Sequence, residues 1–350
     1  MSVVYFIILI GFLTLVHELG HFIAAKIFGV YCHEFAIGFG PTLFSFKGKE
    51  TKYALRALPL GGFVSMAGES DEVKNDVVVP VNRTIKGINR FKQIIIMLSG
   101  VLMNFIIALL LFISINAING KVVIPPPAVI DQVLENSPAQ AAGMLKGDKI
   151  LEITFENKKV IKPTDYYDMI NKIGAYNSTM IFTVDRNNEK MDLYVTPRFD
   201  EPSNRYLIGI TSAKSTIKEI SFFEAVNYGF KEFQNSIGNL VHVIGQLFNG
   251  YGLDQLSGPI GIFEVTNQFA QSGILPFLSL MAFLSLNLAI FNLLPVPLLD
   301  GGRVVITVIE AIIRKPLNEK LVNVLMMASI ALVFGLLILS TFNDITRIFG

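Results

Sequence analysis

The sequence has 350 residues, of which 52% are hydrophobic and only 16% are charged, so it is too apolar for an ordinary soluble protein. Its formal net charge of +1 argues against nucleic acid as a partner, because binding to nucleic acid calls for a basic face. Cys32 is the single cysteine, which excludes an internal disulfide framework and a cysteine-rich zinc module. A bound metal would therefore need histidine and carboxylate ligands.

Apolar segments long enough to cross the lipid bilayer, which takes roughly 20 residues, occur at four places. We predict transmembrane helices at residues 1–28, 94–119, 275–302 and 321–342. The first segment has no Lys or Arg before His17, so it lacks the basic region of a signal peptide and is expected to remain as a span. Lysine and arginine are concentrated in the connections between spans one and two and between spans three and four. Both connections are therefore predicted to be cytoplasmic, with the long segment between spans two and three outside.

The first span contains the sequence "HELGH" at residues 17–21. His17 and His21 are four residues apart, so on a helix both can reach one zinc ion, and Glu18 lies beside them as a base that could act on a water molecule. A chance match in a chain of this length has a frequency of about one in a hundred. The alternative, a histidine pair satisfied by neighbouring helices, would leave an ionised Glu18 without a partner in an apolar setting.

Residues 35–66 contain short β-prone runs separated by Gly-Pro, Lys-Gly-Lys and Gly-Gly turns. We predict a membrane-associated β-hairpin or meander, whose free edge could accept a further strand. The alternative is a connecting loop with incidental β character.

The outer segment begins after three prolines, Pro125 to Pro127, and residues 125–198 are predicted to form one small α+β domain. Its sequence "SPAQAAGMLKGD" resembles a PDZ domain of the kind found in bacterial proteases, and PDZ domains bind extended peptides at a sheet edge. The alternative is a spacer that binds nothing. Residues 221–272 then show apolar positions at helical spacing, which predicts amphipathic helices that lie on the membrane surface or on neighbouring spans.

A catalytic zinc site needs at least one more protein ligand. The candidates are His33 and Glu34, just beyond the first span, and Asp300, which closes the third. Asp300 lies in "NLLPVPLLDGGR", where prolines and glycines interrupt an apolar helix, and irregular backbone at membrane depth is tolerated where it is packed in protein or lines a wet cavity. We therefore favour Asp300, and the alternative is an aspartate that ends a helix at the membrane surface.

Taken together, the chain resembles the site-2 protease group of intramembrane zinc metalloproteases, in the bacterial form with an inserted PDZ domain. The motifs that carry the resemblance are "HELGH" (17–21), "GFGP" (38–41), "PLGGFVSMAGE" (59–69), "SGVLMN" (99–104), "SPAQAAG" (137–143), "LSGPIGI" (256–262) and "NLLPVPLLDGG" (292–302). The resemblance implies a polytopic α-helical membrane protein with four transmembrane helices, a membrane-associated β-hairpin or meander and an inserted α+β PDZ domain. It also implies that His17, His21 and Asp300 bind Zn2+, that Glu18 is the catalytic glutamate, and that Asn292 and Pro297 help to position the substrate strand.

The activity implied by the resemblance is that of a zinc metalloendopeptidase carrying out regulated intramembrane proteolysis. The expected substrates are single-pass transmembrane proteins, such as anti-sigma factors or signal-peptide remnants, already shortened by an upstream site-1-type protease. The expected location is the bacterial plasma membrane, with the PDZ domain outside the cell. His17 is about 13 Å of helix from Lys26, which predicts an active site nearer the cytoplasmic face. There is room for only one PDZ domain between residues 120 and 220, unlike family members that have two.

Two other functions are compatible with parts of the pattern. His and Asp inside membrane spans also mark ion pathways, so a metal transporter is one alternative. An inactive scaffold that holds client helices through its PDZ domain is another. For the protease, we expect the substrate to unwind and add as a strand to the edge offered by residues 35–66, so that Pro or charge substitutions along that edge would reduce cleavage and leave zinc content intact.

Overall fold

The computed structural model describes residues 2–69, 78–174, 176–201, 205–248, 252 and 256–349. The chain forms two compact units: unit 1 is Met1–Asn119 with Ser221–Gly350, and unit 2 is Gly120–Ile220. The helices are α1 (Ser2–Ile27), α2 (Arg90–Asn119), α3 (Pro138–Ala141), α4 (Tyr166–Ile173), α5 (Phe222–Phe248), α6 (Pro259–Gln271), α7 (Ile274–Asn292), α8 (Asp300–Ile313) and α9 (Glu319–Phe349), and a short 3-10 helix spans Val81–Arg83. The strands are β1 (Cys32–Lys47), β2 (Lys52–Met66), β3 (Lys121–Ile124), β4 (Gln132–Val133), β5 (Lys149–Thr154), β6 (Val160–Ile161), β7 (Met180–Arg186), β8 (Glu189–Val195), β9 (Arg198–Asp200), β10 (Arg205–Leu207), β11 (Ile210–Thr211) and β12 (Thr216–Glu219).

Unit 1 is built mainly from apolar helices. Among the described residues, α1, α2, α7 and α9 are the four helices long and apolar enough to cross a membrane. Leu9 and Leu13 of α1 pack with Phe277, Leu280 and Met281 of α7 in one buried cluster. The prediction of an α-helical membrane protein with additional β-structure is confirmed at this level.

Helices α1 and α2 approach each other closely at two glycines. A Cβ atom on Gly20 would lie 2.8 Å from the backbone carbon of Ser99, so only glycine fits there without moving a helix. A Cβ atom on Gly100 would lie 2.9 Å from Cε1 of His17. The absence of side chains at these two positions brings the "HELGH" turn of α1 directly against α2.

Strands β1 and β2 both bend sharply, so that each consists of two segments. One segment of each strand pairs with both segments of the other strand. Phe35 is opposite Val64 and also opposite Tyr53, while Phe46 is opposite Tyr53 from the other side. The bend in β1 occurs where Gly38 and Gly40 have φ of 87° and 83°, a region that favours glycine. The sheet thus has four segments in the order 42–47, 52–56, 34–37 and 62–66, and the last of these forms one of its two edges.

The predicted third span, residues 275–302, contains the end of one helix and the start of another. Helix α7 ends at Asn292 and α8 begins at Asp300, so the proline-containing residues 293–299 between them are not helical. A Cβ atom on Gly302 would lie 2.5 Å from the backbone nitrogen of Pro297. The Gly-Gly pair therefore lets this turn fold back onto the first turn of α8, which contains Asp300.

The motif "LSGPIGI" receives a structural explanation from a buried carboxylate on α9. Asp344 is 2% exposed, and its Oδ2 accepts the backbone N–H of Gly261 at 2.8 Å, in the first turn of α6. A Cβ atom on Gly258 or Gly261 would lie 2.9 or 2.6 Å from the Asp344 carboxylate, so both positions suit glycine. The carboxylate interacts favourably with the positive end of α6 and so links α6 to α9.

Unit 2 is an α+β unit around a single buried cluster. The four-stranded sheet has the order β6-β5-β7-β8, and Met169 and Ile173 of α4 belong to the same buried cluster as Phe182 and Val184 of β7. The unit extends beyond the predicted residues 125–198, because β12 pairs with β3 and β11 pairs with β4. The two ends of the unit meet, since the N–H of Ile220 donates to the carbonyl of Gly120 at 3.0 Å.

Candidate metal centre and active site

Three donor atoms from α1 and α8 converge at one buried point in unit 1. Nε2 of His17 lies 3.3 Å from Nε2 of His21, and Oδ2 of Asp300 lies 3.1 Å and 3.4 Å from these two nitrogens. The three residues are only 7–9% exposed. Helical spacing places the two histidines on one face of α1, and the turn after α7 brings Asp300 to them from a distant part of the chain.

The triangle has the size of a tetrahedral zinc site. Zinc bonds of about 2.0–2.1 Å to nitrogen and oxygen place neighbouring ligand atoms about 3.3 Å apart in a tetrahedron. Asp300 Oδ2 is buried and forms no hydrogen bond with any described residue, although it is close to both nitrogens. A buried carboxylate oxygen that faces two histidine nitrogens without a hydrogen bond has the arrangement of a metal ligand, so the three residues fit zinc.

His21 is held in the tautomer that a metal ligand requires. Its Nδ1 lies 2.7 Å from the backbone carbonyl oxygen of Ile96 on α2, which can only accept. Nδ1 therefore carries the proton and donates it, and the lone pair of Nε2 faces His17 and Asp300.

Glu18 lies beside the triangle and faces the edge of the β1-β2 sheet. Its Oε2 accepts the backbone N–H of Val64 at 3.1 Å, and Gly62 lies close to its side chain. A cavity of about 210 Å³ adjoins Glu18 and the triangle. The cavity is lined by His17, Glu18, His21, Phe63, Val64, Met66, Glu69, Ile85, Ile96, Met97, Asp300 and Arg303.

Asn292 and Pro297 occupy different positions relative to this centre. Nδ2 of Asn292, at the end of α7, lies 3.5 Å from Nε2 of His17. Pro297 lies in the turn between α7 and α8 and packs through its backbone on Gly302, and it is not part of the cavity lining. Asn292 thus belongs to the centre directly, whereas Pro297 shapes the turn that leads to Asp300.

The structure does not bring the other two ligand candidates to the centre. Glu34 pairs with Arg56 at 2.7 Å within the sheet. The ring of His33 lies 5.0 Å from that of Tyr31. Among the described residues, only the group of His17, His21 and Asp300 has the spacing for a metal ion.

Several residues of the centre were missed by reasoning from the sequence. Asn104 of α2 lies 3.3 Å from Nδ1 of His17, and Arg303 pairs with Glu69 at 2.5 Å in the cavity wall. The signal for Asn104 was a polar residue in an otherwise apolar span, inside the quoted motif "SGVLMN". The signal for Arg303 was its position one helical turn after Asp300, which places both on one face of α8.

Comparison with known proteins gives a consistent result. The model of the family described as Peptidase family M50 matches residues 5–336. The zinc metalloprotease RasP of Bacillus licheniformis is 30% identical over 99% of this chain and 99% of its own length. The regulator of sigma-W protease RasP of Bacillus subtilis is 31% identical, again over 99% of both chains. A candidate zinc metalloprotease of Clostridium perfringens is 35% identical over 99% of this chain and 98% of its own length.

Proposed function

This chain belongs to peptidase family M50, the site-2 protease family of intramembrane zinc metalloproteases, and on that premise we propose that His17, His21 and Asp300 hold its zinc ion and that Glu18 is the general base. The observation that carries this proposal is the buried triangle of two Nε2 atoms and one Oδ2 atom beside the Glu18 carboxylate.

Zinc, when bound, supplies a Lewis acid that acidifies the attacking water and polarises the scissile carbonyl group. The Glu18 carboxylate takes a proton from that water and later returns it to the leaving amine. The hydrogen bond from the Val64 N–H fixes one oxygen of Glu18, which leaves the other oxygen to handle the proton. Because the ligands are less than one-tenth exposed, they are shielded from competing solvent.

The substrates are single-pass transmembrane proteins, which must unwind because a helix hides its carbonyl groups in its own hydrogen bonds. The edge segment 62–66 supports entry as an added strand, because the bond from the Val64 N–H to Glu18 places this edge of the sheet beside the proposed base. Asn292, beside His17, is suited to hold the backbone of the substrate strand. Pro297 shapes the turn that follows Asn292 in the chain. The proposed classes of substrate are anti-sigma factors and signal-peptide remnants.

The enzyme is proposed to lie in the plasma membrane of a bacterium, with unit 2 outside and the active site nearer the cytoplasm. The support is the concentration of Lys and Arg in the two connections assigned to the cytoplasm. One of these residues is Lys26 at the end of α1, which pairs with Glu50 at 3.1 Å. The position of His17, about 13 Å along the helix from Lys26, supports the depth of the site.

Unit 2 is proposed to be a PDZ domain that restricts entry of substrates until an upstream site-1-type protease has removed their outer part. Strand β11 pairs with β4 on one side, and on its other side the hydroxyl of Tyr166 donates to the carbonyl of Ile210 at 2.7 Å. A peptide that adds to this edge would have to displace Tyr166 from Ile210. The Tyr166–Ile210 contact therefore favours a role in which unit 2 sterically excludes bulky substrates over one in which it binds a peptide.

The ligand assignment is tested by measuring zinc content in the purified full-length chain. His21→Ala and Asp300→Ala should each weaken zinc binding by more than about 100-fold, beyond the loss expected for an outer residue, and should abolish cleavage of a single-span model substrate. His33→Ala is the matched control and should keep both zinc and activity. A variant at Asp300 that binds zinc like the wild type would contradict the assignment.

A further inference from the structure

We propose that Asn104 positions His17 for metal binding, by accepting the Nδ1–H of His17 with its side-chain oxygen. The inference rests on the proposed ligand set, and it assigns a role to the motif "SGVLMN", which takes no part in the proposed mechanism of cleavage.

Asn104 is completely buried in α2, at 0% exposure, with its side-chain nitrogen Nδ2 placed 3.3 Å from Nδ1 of His17. In this orientation its oxygen Oδ1 is buried and has no hydrogen-bond partner among the described residues. A half-turn of the amide exchanges the two atoms, because they occupy nearly the same positions, and then Oδ1 faces His17.

The chemistry of the imidazole ring selects between the two orientations. A neutral histidine carries one N–H, and if Nδ1 of His17 accepted from Asn104, the proton would be on Nε2. Nε2 is the His17 nitrogen that faces Asp300 Oδ2, at 3.1 Å, and once protonated it would have no lone pair for a metal, so His17 could not be a ligand. When Asn104 accepts the Nδ1–H instead, the Nε2 lone pair is available at the centre.

The same helix holds the second histidine in an equivalent way. His21 donates its Nδ1–H to the backbone carbonyl of Ile96, also on α2. A Cβ atom added to Gly100, one turn from each of these positions, would clash with both imidazole rings, so both rings lie directly against α2 here. The face of α2 formed by Ile96, Gly100 and Asn104 therefore sets the tautomer and the ring orientation of both histidines.

Asn104 is itself held in place through its backbone. Its carbonyl oxygen accepts the hydroxyl of Ser285 on α7 at 3.0 Å, and Ser285 is fully buried. This bond does not involve the Asn104 side chain, so substitutions at position 104 leave the link between α2 and α7 intact.

The test is the zinc affinity of the full-length chain in detergent, measured by competition with a chromophoric chelator. Asn104→Leu keeps the approximate volume and removes the acceptor, and we expect zinc affinity to fall by about 10- to 100-fold. Asn104→Asp can only accept when ionised, and should stay within about threefold of the wild type or bind more tightly. Should the leucine variant not fold, Asn104→Ala provides the same comparison.

Asn116→Leu is the matched control, because Asn116 is also a buried asparagine of α2 but bonds to Glu232. It should leave zinc affinity unchanged, and cooperative thermal unfolding of each metal-free Asn104 variant checks that the variant is folded. If Asn104→Asp bound zinc more weakly than Asn104→Leu, Asn104 would be a donor and the proposal would be wrong. Unchanged affinity in Asn104→Leu would also overturn it, whereas unchanged affinity in His21→Ala would instead refute the ligand set.

Discussion

Three buried aspartates, Asp148, Asp300 and Asp344, each face a different type of partner. Asp300 faces two histidine nitrogens, Asp344 accepts a backbone N–H at the start of α6, and Asp148 pairs with Arg186. An isolated buried carboxylate would be strongly unfavourable, so the partner in each case stabilises the local structure. Only Asp300 lacks a hydrogen bond through its buried Oδ2 to the described residues while facing other potential metal ligands, which distinguishes it from structural carboxylates.

Asp148 allows a prediction about unit 2. Burial raises the pKa of Asp148, but the two bonds from Arg186 at 2.7 Å and the N–H of Leu145 outweigh it, so that the pKa is lower than in the unfolded chain. A lowered pKa contributes stability above the unfolded value of about 3.9, and this contribution is lost as the pH falls through the folded value. Asp148→Asn should therefore destabilise unit 2 at neutral pH by about 2–4 kcal/mol, with a difference from the wild type that narrows in acid.

Hydrogen exchange of the unit 2 strands in the full-length chain, followed from neutral to acidic pH, measures this effect. Asp131→Asn is the control, since Asp131 pairs with a Lys146 side chain that is 74% exposed and should change stability by less than about 1 kcal/mol. A difference between Asp148→Asn and the wild type that widened in acid would contradict a lowered pKa for Asp148.

At the scale of elements, the edge segment 62–66 places the β1-β2 sheet beside Glu18, the proposed base. Successive backbone groups of a strand point to opposite sides, so the N–H of Phe63 faces β1 while that of Val64 faces Glu18. A substrate strand beside this edge would use every second backbone N–H of its own for pairing.

This geometry predicts an alternating response to N-methylation of the substrate. A synthetic single-span substrate with one N-methyl group, moved stepwise through the residues flanking the scissile bond, should lose about 5- to 10-fold in cleavage rate at alternate positions. The intervening positions should react nearly like the unmodified peptide. Equal effects at all positions would show that the substrate does not add as a strand.

At the scale of the whole molecule, the sequence predicted those parts of the candidate site that lie within a single helix or turn. The spacing of His17 and His21 indicated one face of a helix, and the broken helix before Asp300 indicated a polar setting in an apolar segment. The contacts of Asn104 with His17 and of Val64 with Glu18 join residues 87 and 46 positions apart, and no periodic pattern specifies such pairs. The contact of Asn104 with His17 lies where Gly20 and Gly100 allow helices α1 and α2 to meet closely, which only the folded chain shows.

The chain order makes the role of unit 2 testable, because its two ends meet at the Gly120–Ile220 hydrogen bond. A variant in which residues 121–219 are removed and Gly120 is joined to Ile220 therefore needs little rearrangement at the junction. The wild type should cleave a substrate with a short outer segment at least about tenfold faster than one with a folded outer domain, a difference of about 1.4 kcal/mol in the barrier. The shortened variant should cleave both similarly. Equal cleavage of both substrates by the wild type would contradict the proposed restriction.

The most direct test of the proposed mechanism is the cleavage rate of the purified full-length chain on a single-span model substrate, compared between the wild type and Glu18→Gln with zinc content measured in both. The wild type should cleave, lose activity on chelation and recover it when zinc is restored. Glu18→Gln should retain zinc, because His17, His21 and Asp300 are intact, and should cleave about 10²- to 10⁴-fold more slowly, the contribution of a general base. Cleavage by Glu18→Gln at the wild-type rate would contradict the assignment of Glu18 as the base.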